Sequence, residues 1–597
     1  MANSVEGFEA RCREAAEHFL QTVVVIDNEA EFDGGPDSET PRVAERARTR
    51  LLAPDNEGAS VASGETPADL QNRVPVSSQT AVVERPAAAA APPAEAVSSS
   101  EPGGRAEVAA TDPPDAPVSH RLNAKTLTDA FGDRSVLCTV YRPGPGEQMV
   151  ERAAKIASHA DIVVVDWYLE SSSSAMAKAI IADILRKDAE RNGRLRLIAV
   201  YTAQPDMVGL AEDLRGYLVG LSLALESPEA GVLTAPGVRI VFLQKAGTQK
   251  PPGSLAAQEL PRRLIQEFAR LSNGILPMVA LQSIAAIREW SHHFLATFHP
   301  GLDAAFVLHR CLLPFPDDAQ GFAVRLVSSE LASFLESNDV GRYAGIDVKK
   351  DWLAAREPGP EGFPIGAEFV SVANLHAWLE QGKAGPPLPK QTNRRNYDVL
   401  AEALYGSAKA ASDRCLELAR ISCLKREAYS RRSIAPKRPP MLSLGTIVRP
   451  LPTARNDCTR KLDPEAFLLC TQPACDSVRI GLERSYPFQR LTNSDGLFNV
   501  VVKLKDETNA KLLVTGFPYL TEMFTFRSAS AQQDFILAQA ADGGFVFTDI
   551  DGNRFEWLAD LNDFTAQWAM AQIGTRLNTP GLDQFEWLRL KGPRGQG

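Results

Sequence analysis

Four strongly apolar segments constrain the fold more than any other feature of the sequence. They read TVVVIDNE at residues 22–29, ADIVVVDWYLE at 160–170, LRLIAVYTA at 195–203 and GVRIVFLQKAG at 237–247. Continuous apolar runs of this length are typical of parallel strands buried on both faces. A fifth strand-like segment, SVLCTVYRP at 135–143, and several amphipathic helical segments alternate with them. The alternation predicts an α/β fold with a flavodoxin-like, doubly wound, parallel five-stranded sheet.

The rest of the sequence divides into segments that differ in composition and in predicted secondary structure. Residues 31–120 contain twelve prolines, and no aromatic residue occurs from Asp33 to Ala130, so we expect a disordered insert within an α/β domain that spans 1–275. Residues 276–438 have mostly helical patterning. Residues 439–597 contain short strand-like runs, among them SVRIGL at 477–482, and predict a small β-rich C-terminal domain.

Composition and charge restrict the class of protein. The net charge of −10 gives no sign of nucleic-acid binding, and no apolar run is long enough to predict a membrane span. The N-terminal residues form an amphipathic pattern with mixed charges rather than a signal peptide. Eight scattered cysteines are typical of reduced thiols. These features predict a cytoplasmic protein that does not bind membranes.

Polar residues follow the apolar strands at their carboxyl ends. The strands are counted here in chain order, with SVLCTVYRP as the second. The strand-end residues are Asp27, Asn28 and Glu29 after the first strand, Asp166 and Trp167 after the third, Thr202 at the end of the fourth and Lys245 after the fifth. In a doubly wound sheet these strand ends line one edge, where ligands bind. Carboxylates are suitable ligands for Mg²⁺, and a carboxylate beside Mg²⁺ can act as a nucleophile toward a phosphoryl group. A lysine and a hydroxyl can then contact the phosphoryl oxygens.

This ordered set of strand ends resembles the receiver domain of two-component response regulators. VVVIDNE is similar to the acidic strand, VVVDWYL to the phosphoacceptor strand, LIAVYTA to the Thr/Ser strand and IVFLQKAG to the lysine strand. Asp27 and Asp166 lie 139 positions apart, and the separation falls to 46 without residues 29–121, which is similar to the receiver interval.

The resemblance implies a role for each strand-end residue. Asp166 would be the phosphoacceptor, and Thr202 and Lys245 would sense the phosphoryl group. Asp27, Asp166 and the backbone carbonyl of Trp167 would hold Mg²⁺, with Asn28 as a weaker candidate ligand.

The sequence departs from the receiver pattern at three points. Asn28 stands where a second acid is usual, so we expect weak Mg²⁺ binding. Ala246 follows the lysine where proline is usual. Thr202 and Lys245 are 43 positions apart, which is longer than the usual interval.

The segment RLRLIAVYT and the long C-terminal extension resemble a divergent receiver group found in bacterial conflict (anti-phage) systems. Members of that group are often encoded beside a histidine kinase or a GHKL-type ATPase. The resemblance therefore implies such a kinase or ATPase as the partner, with other defence-system proteins as further partners.

Other residues offer weaker candidate sites. Cys470, Cys475 and Asp476 lie close together in the sequence, but no histidine follows Cys458, so we expect no zinc and interpret both cysteines as structural. The segment SHHFLATFH places three histidines on one predicted helix, without an acidic ligand between them. A basic segment from Leu424 onward is interpreted as a solvated helix end.

The sequence thus predicts a signalling protein that accepts phosphate on Asp166 from a histidine kinase and regulates attached or partner domains. Two alternatives remain open. One is a pseudo-receiver scaffold that binds partners without phosphorylation. The other is an unidentified enzymatic activity in the C-terminal domain, for which only Cys475 and Asp476 offer candidate chemistry.

Overall fold

The computed structural model describes residues 2–31, 122–144, 148–170, 173–191, 193–246, 253–313, 316, 318–388, 396–429, 439–452, 462–478, 480–529, 534–541 and 543–577. Apart from Glu31, the predicted disordered insert lies outside these residues. The backbone of Glu31 hydrogen-bonds to that of Leu122 and Ala124, so the chain on either side of the insert meets at one point.

The N-terminal part alternates helices and strands as predicted. Its elements are α1 (Ala2–Phe19), β1 (Thr22–Ile26), α2 (Ala124–Gly132), β2 (Leu137–Tyr141), α3 (Met149–Ala157), β3 (Ile162–Val165), α4 (Ala175–Glu190), β4 (Arg196–Thr202), α5 (Met207–Gly220), β5 (Glu226–Glu229), β6 (Val232–Ala235), β7 (Val238–Gln244) and α6 (Leu260–Leu271). These elements confirm the α/β fold class.

One sheet of seven strands organises this part, in the order β2-β1-β3-β4-β7-β6-β5. The strands β2, β1, β3, β4 and β7 are parallel to one another. The prediction of a five-stranded sheet is therefore wrong in its count, because β5 and β6 form an antiparallel hairpin that continues the sheet beyond β7. This hairpin occupies the long interval between Thr202 and Lys245.

Helices cover both faces of the sheet. One apolar core joins α1, α2 and α6 to the sheet, and includes Phe8, Leu127 and Phe268. The opposite core joins α3, α4 and α5 to it, and includes Ile180 and Leu214. Buried apolar residues on both faces explain why the central strands are continuous apolar runs.

The middle of the chain is mostly helical, as predicted. It contains α7 (Ile275–Glu289), α8 (Ser291–Thr297), α9 (Asp303–Leu312), α10 (Asp318–Ser337), α11 (Ile346–Ala354), β8 (Phe363–Ile365), β9 (Glu368–Val370), α12 (Val372–Gln381), α13 (Asn396–Tyr405) and α14 (Ala408–Cys423). Helix α7 is attached to α1, because the Gln282 amide donates a hydrogen bond to the carbonyl of Ala15 (3.2 Å) and the Arg288 guanidinium stacks over the Phe19 ring.

The C-terminal part is the β-rich region that the sequence predicts. Its elements are β10 (Leu424–Glu427), β11 (Thr446–Pro450), β12 (Phe467–Cys470), α15 (Ala474–Ser477), β13 (Glu483–Asn493), β14 (Val500–Lys503), β15 (Asn509–Leu513), β16 (Thr521–Arg527), β17 (Gln539–Ala541), β18 (Gly544–Thr548), β19 (Arg554–Leu561) and α16 (Asp563–Leu577). Its ten strands form one sheet with antiparallel pairings.

Two local predictions in this region are wrong. The segment SVRIGL is not a strand, because Ser477 ends a short helix and β13 begins only at Glu483. The basic segment does not begin as a helix end, because Leu424–Glu427 is a strand paired with β19 and Arg426 pairs with Asp560 at 2.6 Å. The rest of the basic segment, residues 430–438, lies outside the described residues.

Candidate functional site

The parallel register brings the predicted site residues to one edge of the sheet. Ile26 is aligned with Val165, and Thr202 is aligned with Gln244. Asp27, Asp166 and Lys245 each follow the last residue of their strands, so their side chains share the carboxyl-end edge. The sequence prediction that these residues lie together is therefore matched by the geometry.

The central interaction is one lysine held between two carboxylates. Lys245 Nζ lies 2.7 Å from Asp27 Oδ2 and 2.9 Å from Asp166 Oδ2. All three residues are buried, with Asp166 the most accessible at 9% exposure. One cation shared by two buried anions leaves the trio with one formal negative charge. The carboxyl-end edge of the sheet is therefore negatively charged, which favours the binding of cationic or electrophilic groups.

Burial and neighbouring charges shift the protonation equilibria of this trio. Burial raises the pKa of Asp166 above its usual value, an effect that Lys245 reduces and Asp27 increases. Burial by itself disfavours the charge on Lys245, but the Asp166 and Asp27 carboxylates outweigh it and raise the pKa of Lys245. Lys245 therefore stays protonated and positively charged. The charged form of Asp166 is less stable than that of an exposed aspartate.

Backbone hydrogen bonds fix the positions of the trio. The Glu29 amide donates to Asp27 Oδ1 at 2.8 Å, which leaves Oδ2 directed to the lysine. The Lys245 amide donates to the Thr202 carbonyl at 2.7 Å. The buried Thr202 hydroxyl oxygen accepts a long hydrogen bond from the Gln204 amide (3.5 Å), so its own proton is still available as a donor.

The segment after Lys245 is tied back to the sheet by Tyr201, a residue that the sequence analysis missed. The Tyr201 hydroxyl donates to the Leu255 carbonyl at 2.7 Å, and the backbone of Leu255 bridges Gln244 and Ala246. Burial, together with the charges of Asp27 and Glu259, raises the pKa of Tyr201 above its usual value, so the hydroxyl remains a donor. No local sequence signal joins residues 201 and 255.

Trp167 connects the site to the neighbouring helices. Its ring is fully buried and meets Phe242 of β7 edge to face at 5.8 Å. Lys178 of α4 places its Nζ 5.6 Å from the centre of the Trp167 ring and pairs with Asp213 of α5. Phe242 and Lys178 were not predicted as site residues, because their contacts depend on the three-dimensional order of β3, β7 and the two helices.

Asn28, the residue after Asp27, carries a further hard oxygen. Its side-chain Oδ1 is buried and has no hydrogen-bond partner in the described part of the chain. A buried acceptor without a partner is costly, and a cation would satisfy it. No group of three or more His, Cys, Asp or Glu side chains among the described residues could hold a metal ion. Carboxylate and amide oxygens are chemically suitable ligands for a cation such as Mg²⁺.

The C-terminal candidates are placed in different environments. Cys470 is fully buried, and burial raises the pKa of its thiol to about 12, which disfavours the nucleophilic thiolate. Cys475 is exposed on α15, so the interpretation of this cysteine as a packed structural residue is wrong. Its Sγ lies 3.8 Å from Asp476 Oδ1. Asp476 also lies 3.8 Å from the Arg484 guanidinium.

The histidine segment does not form the single helix that the sequence predicts. Helix α8 ends at Thr297, so His299 lies beyond it. His292 and His293 are exposed, with ring centres 5.6 Å apart. In the portion of the chain that the structure covers, no helix has both the length and the hydropathy needed to cross a membrane.

Comparison with known protein families finds a match in the N-terminal part. Residues 19–250 match the family model described as the response receiver domain. Asp27, Asp166, Thr202 and Lys245 all lie within this range. The match supports a receiver domain and a response-regulator-like signalling role. Helix α6 and all of α1 except Phe19 lie outside the matched range, and both helices pack on the same sheet.

No curated protein and no solved structure matches the chain in the corresponding searches.

We predict that Lys245→Met lowers the free energy of unfolding by about 3–5 kcal/mol at pH 7.5, because two buried carboxylates lose their shared cation. The loss should shrink toward pH 5. Without the lysine, the already raised pKa of Asp166 rises further, so the native state binds more protons than the unfolded state and gains stability as pH falls through that value. Urea unfolding across this pH range measures the effect.

Lys125→Met is the matched control, since Lys125 is an exposed lysine of the same domain paired with Asp129. It should change stability by less than about 1 kcal/mol at every pH. An equal loss for both variants, or a Lys245→Met loss that does not vary with pH, would contradict the assigned trio.

Proposed function

We propose that this protein is a phosphoacceptor of a two-component-like system, with Asp166 as the residue that receives the phosphoryl group. The observation that carries the proposal is the position of Lys245 Nζ, 2.9 Å from Asp166 and 2.7 Å from Asp27, at the strand ends of a region similar to receiver domains. We propose a histidine kinase or a GHKL-type ATPase as the partner, and bacterial defence as the setting.

The chemistry follows from the charges at the site. An Asp166 carboxylate oxygen attacks the phosphorus of a phosphohistidine, and the phosphorus–nitrogen bond breaks. The imidazole nitrogen keeps the bonding electrons, and an acyl phosphate forms on Asp166. Lys245 is positioned to pair with the phosphoryl oxygens, and the Thr202 hydroxyl can donate to one of them. Burial of Asp166 raises its energy as a carboxylate, which favours its reaction as a nucleophile.

We further propose that Mg²⁺ binds weakly at Asp27, Asp166, the Trp167 backbone carbonyl and Asn28. The unpartnered Asn28 Oδ1 and the two carboxylates support this set. When bound, the ion would neutralise charge on the phosphoryl oxygens. Because Asn28 contributes a neutral amide where a carboxylate would add charge, the affinity should be low.

Phosphorylation would act on the rest of the chain by shifting a conformational population. The added charge changes the partners of Lys245 and Thr202, both of which are connected to β7. Trp167, next to Asp166, contacts Phe242 on the same strand. The edge formed by β4 and β7 is therefore the expected region of change.

A second candidate function is a scaffold that is never phosphorylated. Its supporting observation is that Lys245 already contacts both carboxylates, so part of their negative charge is compensated within the protein. In this alternative the trio stabilises the domain, and the receiver surface binds partner proteins.

We predict that the full-length protein gains the mass of one phosphoryl group when incubated with acetyl phosphate and excess Mg²⁺. Asp166→Asn should abolish the gain and leave the fold intact, because the amide keeps the shape of the side chain. Intact-mass spectrometry measures the gain, and circular dichroism verifies the fold.

Asp129→Asn serves as the control, since Asp129 is an exposed aspartate of the same domain. It should be phosphorylated like the wild type. A wild type that gains no mass while Asn28→Asp does would establish the scaffold alternative. A mass gain that persists in Asp166→Asn would place the phosphoacceptor elsewhere.

We predict that Asn28→Asp binds Mg²⁺ about tenfold more tightly than the wild type, because it adds a charged oxygen ligand. The thermal unfolding midpoint should rise with millimolar Mg²⁺ in the wild type, rise at lower concentrations in Asn28→Asp, and stay constant in Asp27→Asn. Equal midpoint shifts in the wild type and Asp27→Asn would show that Mg²⁺ does not bind at this site.

A further inference from the structure

A two-helix projection in the middle of the chain exposes an unusual amount of apolar surface. We call it the tip and define it as α9 together with residues 319–327 of α10. No residue of α9 is buried, and Ala319 is the only buried residue in the α10 portion of the tip. The tip therefore contributes almost nothing to the apolar cores of the described chain.

Eight of the exposed side chains of the tip are large and apolar. They are Phe306, Val307, Leu308 and Leu312 on α9, and Phe322, Val324, Leu326 and Val327 on α10. Phe306, Val307 and Leu308 are consecutive and therefore point in three directions around the helix axis. A broad apolar stripe of this kind is normally covered by another element, and no described residue of the chain buries these side chains.

The two helices are nevertheless held together. The His309 ring packs against Phe322 at 4.7 Å between ring centres, and the Arg310 guanidinium donates to the Pro316 carbonyl at 2.7 Å. Further along α10, Phe334 packs against Phe294 of α8 at 6.1 Å. The two helices of the tip therefore contact each other, and α10 also contacts α8 beyond the tip.

The exposed apolar area matches what a dimer requires. From their exposed fractions, the eight side chains together expose roughly 700 Å² per molecule, summed over the surface of both helices. A standard interface buries about 800 Å² on each partner. The apolar area that each tip exposes is therefore close to the area that each partner buries in a standard interface.

We propose that the tip is a self-association surface that pairs with the same surface of a second copy of this chain, forming a four-helix bundle. A pair of apolar helices cannot bury both of its faces alone, and a twofold-related second pair completes the bundle. The exposed charges of the tip are few and of both signs, Asp303 against Arg310 and Arg325, so two copies meet with little like-charge repulsion.

The attachment of the tip to the rest of the chain determines which domains a dimer would bring together. Helix α8 follows α7, and α7 is fixed to α1 on the sheet of the receiver domain through the Gln282–Ala15 hydrogen bond. Pairing of two tips would therefore place two receiver domains in one assembly. This inference does not depend on phosphorylation of Asp166.

The test is the mass of the full chain in solution, measured by sedimentation or by light scattering after size exclusion. The wild type should be a dimer at micromolar concentration. The double variant Leu312→Glu with Val324→Glu should be a monomer, with dimer affinity reduced at least roughly 100-fold, because charges replace central apolar contacts. Leu497→Glu with Phe564→Glu, which alters two equally exposed apolar residues outside the tip, should remain a dimer.

Circular dichroism verifies that both double variants are folded, and Leu312→Ala with Val324→Ala provides a milder change that should also weaken the dimer. A wild type that is monomeric at micromolar concentration would overturn the proposal, as would a tip variant that dimerises like the wild type. A monomeric wild type that sediments with phospholipid vesicles would overturn it in favour of a membrane-binding tip.

Discussion

The candidate site depends on a single lysine that is shared by two buried carboxylates. Without Lys245, the carboxylates of Asp27 and Asp166 would face one another at a buried sheet edge, where like charges are costly. The same lysine is connected through its backbone to Thr202, and the chain after it is tied to Tyr201. A change in the charge of Asp166 would therefore alter the environment of both β4 and β7, which are the strands a phosphoryl signal would be expected to reach.

The additional hairpin of β5 and β6 changes the surroundings of this lysine. It pairs with β7 and covers the sheet edge that would otherwise end at that strand. Arg239 of β7 is buried and pairs with Glu267 of α6, and it also lies near Glu229 at the end of the hairpin. The hairpin, β7 and α6 are thus joined by ion pairs near one end of the sheet, while Lys245 lies just beyond the other end of β7. A displacement of β7 would therefore alter the Arg239 ion pairs at one end of the strand and the contacts of Lys245 at the other.

Much of the N-terminal fold was predictable because its strands are buried on both faces. Continuous apolar runs marked β1, β3, β4 and β7, and the polar residues that follow them marked the candidate site. The hairpin was not predicted, because all four residues of β5 are exposed and its sequence, ESPE, lacks apolar alternation. Tyr201, Phe242 and Lys178 were missed for a different reason: their roles depend on contacts between residues that are distant in sequence. The break between α7 and α8 at Trp290 likewise had no proline or glycine to signal it.

The most direct test of the account is a nuclear magnetic resonance titration of the Lys245 ammonium and the Asp166 carboxyl group in the folded wild-type protein, assigned with Lys245→Met and Asp166→Asn. If Lys245 is shared by the two buried carboxylates, its pKa lies above the usual lysine value of about 10.4, and the pKa of Asp166 lies above the usual aspartate value of about 3.9. A Lys245 pKa at or below the usual lysine value, unchanged by Asp166→Asn, would show that the lysine is not shared by the two carboxylates and would contradict the account.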